Sequence, residues 1–356
     1  MERRSFLAAA GATVATSLTG CSGIGTTGET STESGRRTLV VGTYSPFIDA
    51  PSSSPGAWLK EQFESEFDAR LVWQTPSNEL NHYIERRKAG VDVEADLYVG
   101  LNADDLVRVD ETLDESLFAD AGDLNGQSDV KDGLSFDPEG RAVPFDTGYV
   151  SLVFDGTSTT APETFDGLLT EDHAGDLITQ NPSSSDTGRA FMLHTVKQFG
   201  ADGYLDYWAD LQANDVRVLG SWDDSYSAWS EGEAPIVTSY STDRVYADRY
   251  DQNLEKHRIR FLNDQGYANP EGMAVFEGAN EPDLAREFMQ FLLRPEVQGE
   301  IAVRNVAFPA TTNADLPSDY AKFALEPPEP VTFTYDELQG SVGEWVKDWS
   351  QQFAQN

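Results

Sequence analysis

Residues 38–47 read Thr38-Leu39-Val40-Val41-Gly42-Thr43-Tyr44-Ser45-Pro46-Phe47, an apolar, β-branched run that breaks into a polar and aromatic turn. The first half has strand composition, and the second half has the residues that end a strand. Beyond it, residues 57–67 place Trp58, Leu59, Phe63 and Phe67 on one face of a helix. The alternation then repeats, with strand patterns at 70–73 and 95–100 and helical patterns at 78–89 and 104–109. Such an order predicts an α/β unit with a largely parallel sheet.

Around Pro144-Phe145-Asp146-Thr147-Gly148 the order changes, and 149–154 reads as a strand of its own. A second α/β set follows: helices at 187–198 and 204–211, a strand at 216–219, a helix at 223–231, a strand at 235–239 and a helix near 244–250. Strand-like 273–276 leads into a helix over 282–293, with Pro282 in its first turn and Pro295 after its end. A last helix over roughly 335–353 carries Leu338, Val342, Trp345, Trp349 and Phe353 on one stripe, which marks its tryptophans as core. The expected organisation is a first lobe at 38–143, a second lobe at 144–265 inserted into it, and a return to the first lobe with a C-terminal helix at 266–356.

The chain opens differently. Arg3 and Arg4 precede a short small-apolar segment that closes on Leu18-Thr19-Gly20-Cys21. That order is a twin-arginine signal ending in a lipid attachment box. Its apolar stretch of about 13 residues is too short for the roughly 20 that a spanning helix needs. Cys21 is the only cysteine, and its place after a small residue at the end of the signal assigns it to lipidation rather than to a core or a nucleophile. Residues 22–37 are Gly, Ser, Thr and charged groups, the composition of a flexible linker. Within them Gly23-Ile24-Gly25-Thr26-Thr27-Gly28 fits a dinucleotide fingerprint, but that motif has meaning only between a strand and a helix. The expectation is a protein outside the cell, held to the membrane by its lipid alone.

Acidic residues number 61 against 25 basic ones, a net charge of -36. With 11% aromatic residues and regular apolar patterning, this is the acidity of a folded surface rather than of a disordered chain. It excludes nucleic acid as a partner, because phosphate recognition needs the opposite sign. A steering field for cations is the other reading of the charge. In brine the Debye length falls to about 3 Å, so the field would be screened and adaptation to concentrated salt is the better account.

Catalytic and metal-binding patterns are missing: there is no G-x-S-x-G, no H-E-x-x-H, no P-loop, and His82, His173, His194 and His257 have no ligand spacing. What the chain does show is polar and aromatic residues at the ends of expected strands, where open α/β sheets bind ligands. These segments are Thr43-Tyr44-Ser45-Pro46-Phe47, Thr75-Pro76-Ser77-Asn78, the loop from Asn181 to Gly188, Gly220-Ser221-Trp222, and Ser239-Tyr240-Ser241-Thr242-Asp243 with Tyr246 a turn on. The hydroxyls of the loop at 181–188, with the free N–H groups of the helix it opens, make a cradle for an anion or a polar group.

In this order, and together with Pro144 to Tyr149, Tyr226 and the helix pair around 288–298, the segments resemble the thiamine-binding lipoproteins and periplasmic proteins of ABC importers. The resemblance covers about residues 38–350 and is more specific for the solute-binding superfamily than for thiamine. It implies a type II clamshell of two α/β lobes, with mixed, mostly parallel sheets flanked by helices. Its ligand is thiamine or a thiamine phosphate, its partners an ABC permease and a separate ATPase, and it has no cofactor, metal or catalytic residue. Here it takes a halophilic, archaeal, lipid-anchored form. Carried over position by position, the resemblance gives Tyr44, Asn78, Ser185, Trp222, Tyr240 and Tyr246 as ligand contacts, with Asp146 or Asp243 answering the positive charge. Tyr246 would stack on a ring, and Trp222 and Ser185 would lie near the tail or its phosphate. One departure stands out: the family has a tryptophan near Val306, where this chain has Asn305-Val306-Ala307-Phe308. Phe308 would then supply the missing face, or the ring would be held on one side only. Two alternatives stay open: a ferric-ion binder using Tyr240, Tyr246 and Tyr250, and a secreted hydrolase.

Overall fold

The first strand, β1 (Arg37–Gly42), forms where its composition places it, with Leu39 and Val41 fully buried. The computed structural model describes residues 35–50 and 54–354; the signal, the lipid site at Cys21 and most of the linker lie outside the described residues. After β1 come a single turn α1 (Ser45–Ile48), α2 (Gly56–Glu66), β2 (Ala69–Gln74), α3 (Leu80–Lys88), β3 (Leu97–Leu101) and α4 (Ala103–Thr112). Leu59 and Phe63 turn the expected face of α2 into the core.

The next strand departs from expectation. Pro144 to Gly148 is not a break: it lies inside β4 (Ala142–Phe154), a strand of 13 residues buried along its whole length except at half-buried Gly148. The pairing register shifts between Pro144 and Asp146, and that bulge is how a strand interior accommodates a residue with no N–H. There follow β5 (Leu177–Gln180), α5 (Asp186–Phe199), α6 (Tyr204–Ala213), β6 (Arg217–Leu219), α7 (Trp222–Ser230), β7 (Ile236–Tyr240), α8 (Asp243–Arg249), β8 (Arg258–Arg260) and β9 (Gln265–Val275). The chain ends with α9 (Pro282–Leu292), α10 (Pro295–Asn305), β10 (Phe308–Pro309), β11 (Glu329–Val331), α11 (Tyr335–Leu338) and α12 (Val342–Ala354).

Among the described residues the strands form one sheet, in the order β2-β1-β3-β9-β4-β7-β5-β6. Parallel pairs, the product of strand–helix alternation, occupy both flanks: β1 with β2 and β3, and β5 with β6 and β7. Antiparallel pairs occupy the middle, where β9 joins β3 to β4 and β4 joins β7. Helices α2 and α9 close one side of the first flank, and Phe63 meets Phe288 edge-on at 4.9 Å. On the other side Phe191 of α5, Trp208 of α6 and Trp349 of α12 are all buried in a second core.

The helix expected over 335–353 is interrupted. A capping box of Thr334 and Glu337 starts α11, Gly340 takes a left-handed φ of 73°, and α12 begins anew at Val342. The interruption lets the chain end touch two elements. Tyr335 donates to Asp110 of α4 at 2.7 Å, while the Trp345 carbonyl accepts from Tyr204 of α6 at 2.9 Å.

Candidate ligand-binding site

At the end of β1 the tyrosine of the opening stretch turns toward the middle of the sheet. Its hydroxyl donates to Glu271 Oε2 of β9 at 2.8 Å. Gly100 of β3 makes room for the ring: with φ at +100°, a Cβ there would stand 2.6 Å from Tyr44 Cε1. Opposite Glu271 in the antiparallel ladder is Asp146 of β4, which accepts from Asn305 Nδ2 at 2.8 Å. Asp146 is 1% exposed, and burial pushes its carboxyl up to about 7. Burial, reinforced by the charge of Asp146, holds Glu271 well above the carboxylate range. The Tyr44 phenol is raised in turn, first by burial and then by both acids.

Tyr240, at the end of β7, continues this patch. Its ring lies on Gly148, where a Cβ would come within 2.4 Å of Cδ1, and its hydroxyl accepts from Thr187 Oγ1 at 3.2 Å. Asn269, the partner of Gly148 in the ladder, also hydrogen-bonds Tyr240. Ser185 stands beside them as N-cap of α5, and its Oγ accepts from the Gly188 N–H at 3.4 Å. The ends of β1 and β7, the interior of β4 and the start of α5 thus bring Tyr44, Asp146, Tyr240 and Ser185 to one region.

Trp222, Asp243 and Tyr246 belong to an adjoining aromatic wall. Trp222 stacks on Tyr226 at 4.7 Å and 22°, and its Nε1 donates to Ser239 Oγ at 3.0 Å. Tyr246 meets Tyr226 edge-on at 6.3 Å and Tyr250 at 4.9 Å. Asp243 is buried beneath them with both oxygens engaged, by the Tyr226 hydroxyl at 2.5 Å and by His257 Nδ1 at 2.7 Å. It thereby holds Tyr226 in place. Asn78 is exposed in the turn before α3. Phe308 is buried against Tyr149 at 5.0 Å.

Sequence reasoning did not single out Glu271, Asn305 or Asn269, and it reached Thr187 only as one hydroxyl of the 181–188 cradle. The first lies in Asn269-Pro270-Glu271-Gly272, just ahead of the strand expected at 273–276, where proline and glycine are poor strand formers. In the fold that run is strand throughout. Of the tyrosines of the iron alternative, Tyr246 and Tyr250 are ring neighbours at 4.9 Å, while Tyr240 is engaged by Thr187. Among the described residues no group of three or more His, Cys, Asp or Glu side chains is arranged to hold a metal ion. A groove of about 440 Å³ lined by Phe67, Gly126, Gln290 and Arg294 shares no residue with the patch.

A mixed sheet with parallel flanks, ringed by helices and carrying a polar and aromatic patch at its strand ends, defines a ligand-enclosing α/β protein. Residues 107–325, more than half of the chain, match the bacterial extracellular solute-binding protein family, and the chain belongs to it. It is similar to the thiamine-binding periplasmic protein of Escherichia coli (strain K12), 27% identical over 312 residues that cover 87% of this chain and 92% of that one. It is also similar to the protein of that name from Haemophilus influenzae, at 26% over 276 residues, 77% of this chain and 80% of the other. Among solved structures, a periplasmic thiamin binding protein superposes with a TM-score of 0.77 at 26% identity, covering 89% of this chain and 96% of its own. The ferric binding protein from Campylobacter jejuni shares the fold, with a TM-score of 0.73 at 14% identity over 88% of this chain and 99% of that one. The fold is the type II clamshell of periplasmic binding proteins.

Proposed function

We propose that the protein captures thiamine between two lobes, built from residues 38–143 and 144–265 with 266–356 returning to the first, and hands it to an ABC permease driven by a separate ATPase. The observation that carries this reading is the similarity to thiamine-binding periplasmic proteins along 87% of the chain. The site chemistry agrees with it. Thiamine has a cationic thiazolium and a flat aminopyrimidine. The paired acids Asp146 and Glu271 answer the cation, and the rings of Tyr44, Tyr240, Trp222 and Tyr246 offer aromatic faces worth on the order of 1 kcal/mol each. Ser185, at the start of α5, is the place for the hydroxyethyl tail or a phosphate on it. Export by the twin-arginine signal and a lipid on Cys21 would keep the protein at the outer face of the cell membrane, and a halophilic archaeon is the source its charge fits.

Calorimetry with thiamine, its phosphates and ferric ion tests the reading. Thiamine is expected to bind, with Tyr246→Ala weakening it by about 1–3 kcal/mol and Tyr246→Phe costing little. For iron the phenolate would be the ligand and the two variants equally damaging. No heat from thiamine or its phosphates removes the proposal. Anchoring is tested apart from ligand: Cys21→Ser should release the protein into the medium, and its retention in a detergent partition would remove the lipid.

A further inference from the structure

Helices α4 and α5 leave the sheet from strands that are far apart. Between β3, which precedes α4, and β5, which precedes α5, stand β9, β4 and β7. Four strand spacings of about 4.8 Å separate the two starting points by roughly 19 Å. Yet the first turns of these helices meet. Arg189 Nη1 of α5 bonds Asp104 Oδ2 of α4 at 2.6 Å and stands 3.9 Å from Asp105 Oδ1. The guanidinium is braced from its own side by Asp186 at 3.3 Å and by the Pro182 carbonyl, which accepts from Nε at 3.2 Å. Arg108 steadies Asp105 at 2.7 Å. The contact adjoins the ligand patch, because Thr187, two residues before Arg189, bonds Tyr240.

We propose that Arg189 is a clasp, which ties α5 to Asp104 and Asp105 of α4 over the Tyr44, Glu271 and Tyr240 patch and thereby sets how long a captured ligand stays. The clasp rests on the two-lobed reading above, with α4 in the first lobe and α5 in the second. Its electrostatics make it one-sided. Arg189 is the cation that Asp104 and Asp186 share, while Asp105 keeps Arg108, so removing Arg189 leaves Asp104 and Asp186 without their counter-charge beside a third acid. It is also sheltered. The side chains of Arg189 and Asp104 are 17% and 11% exposed, against 37% and 46% for the surface pair Arg217–Glu233. Salt screens a sheltered pair much less, so the clasp holds in brine where surface pairs fade. Arginine suits the place because its planar fork reaches several acceptors from one position.

Stopped-flow tryptophan fluorescence of the full chain, with thiamine as the probe, reads both rate constants. Arg189→Gln is expected to raise koff roughly ten- to a hundredfold while changing kon by less than about threefold. Arg189→Lys should recover part of the loss, and Asp104→Asn should raise koff in the same direction. Arg217→Gln should leave both rates at wild-type values. Circular dichroism and a cooperative melt establish that each variant is folded, and Asp104→Asn carries the test should Arg189→Gln not be. An unchanged koff, or an equal loss in kon, overturns the clasp and leaves the thiamine reading standing. If the wild type gives no thiamine signal, the ligand reading fails and small-angle scattering decides the clasp: a larger radius of gyration in Arg189→Gln keeps it, and equal values overturn it.

Discussion

Asp146 and Glu271 face each other across the β4–β9 ladder, and the donors that reach them are neutral: the Asn305 amide to Asp146 and the Tyr44 hydroxyl to Glu271, each at 2.8 Å. A neutral donor orients a carboxylate without cancelling its charge. Burial raises both carboxyls, Asp146 to about 7, and the charge of Asp146 raises Glu271 further, so ionising one opposes ionising the other.

Stability should carry the signature of the Asp146 proton. Asp146 titrates at about 7 in the fold against 3.8 unperturbed, so between those values the folded state holds a proton that the unfolded state has lost. Stability contributed by this group is therefore lost as pH rises through the window. Asp146→Asn removes the loss, and its unfolding free energy relative to wild type should grow by on the order of 4 kcal/mol from about pH 4 to pH 8. Denaturant titrations across pH measure this, and a difference independent of pH would contradict it.

Ligand affinity should move the other way. A cation seated against the pair favours the ionised form, so thiamine should bind more tightly as pH rises toward about 8, by up to about tenfold per unit for one proton released. Glu271→Gln should flatten that slope and weaken binding. Calorimetry in buffers of different ionisation enthalpy counts the proton directly.

Gly148→Ala would set a methyl group 2.4 Å from the ring of Tyr240. The ring must move, and its bond to Thr187 goes with it. A loss of about 1–3 kcal/mol in stability is expected from the overpacking, with weaker ligand binding. Chemical denaturation of the variant against wild type checks the first, and a titration with thiamine the second.

Self-repulsion at a net charge of -36 should make the fold depend on ions. The melting temperature should climb steeply between low and roughly molar salt, where the Debye length shrinks to about 3 Å. A flat scan would leave the acidity without a physical role.

Much of this was legible in the sequence, for reasons particular residues show. Helical spacing at Leu59 and Phe63 and β-branched runs at Val40 and Val41 declared themselves because their burial leaves a period. Tyr44 and Tyr240 stand directly after such runs, so their places at the ends of strands were legible. Asp146 was quoted for its proline-marked segment, although that segment is mid-strand. Glu271 and Asn305 had no such flag: each is one polar residue in an irregular run, and only pairing with chain more than a hundred residues away gives it a neighbour. Asn78 carries a weaker signal, since a turn before a helix favours asparagine whether or not a ligand is near. The break at Gly340 was hidden because an apolar stripe keeps its period across a short interruption.

The β4–β9 ladder, paired from Ala142–Ala274 to Val150–Tyr267, runs through the centre that joins the two flanks. Any swing of one flank against the other must pass through these strands. A ladder can change its twist while every rung stays made, so the motion stores elastic strain in bent strands instead of melting a loop. A joint of this kind would act as a leaf spring made of backbone hydrogen bonds, and salt would then act on the charged surfaces that it brings together rather than on the spring.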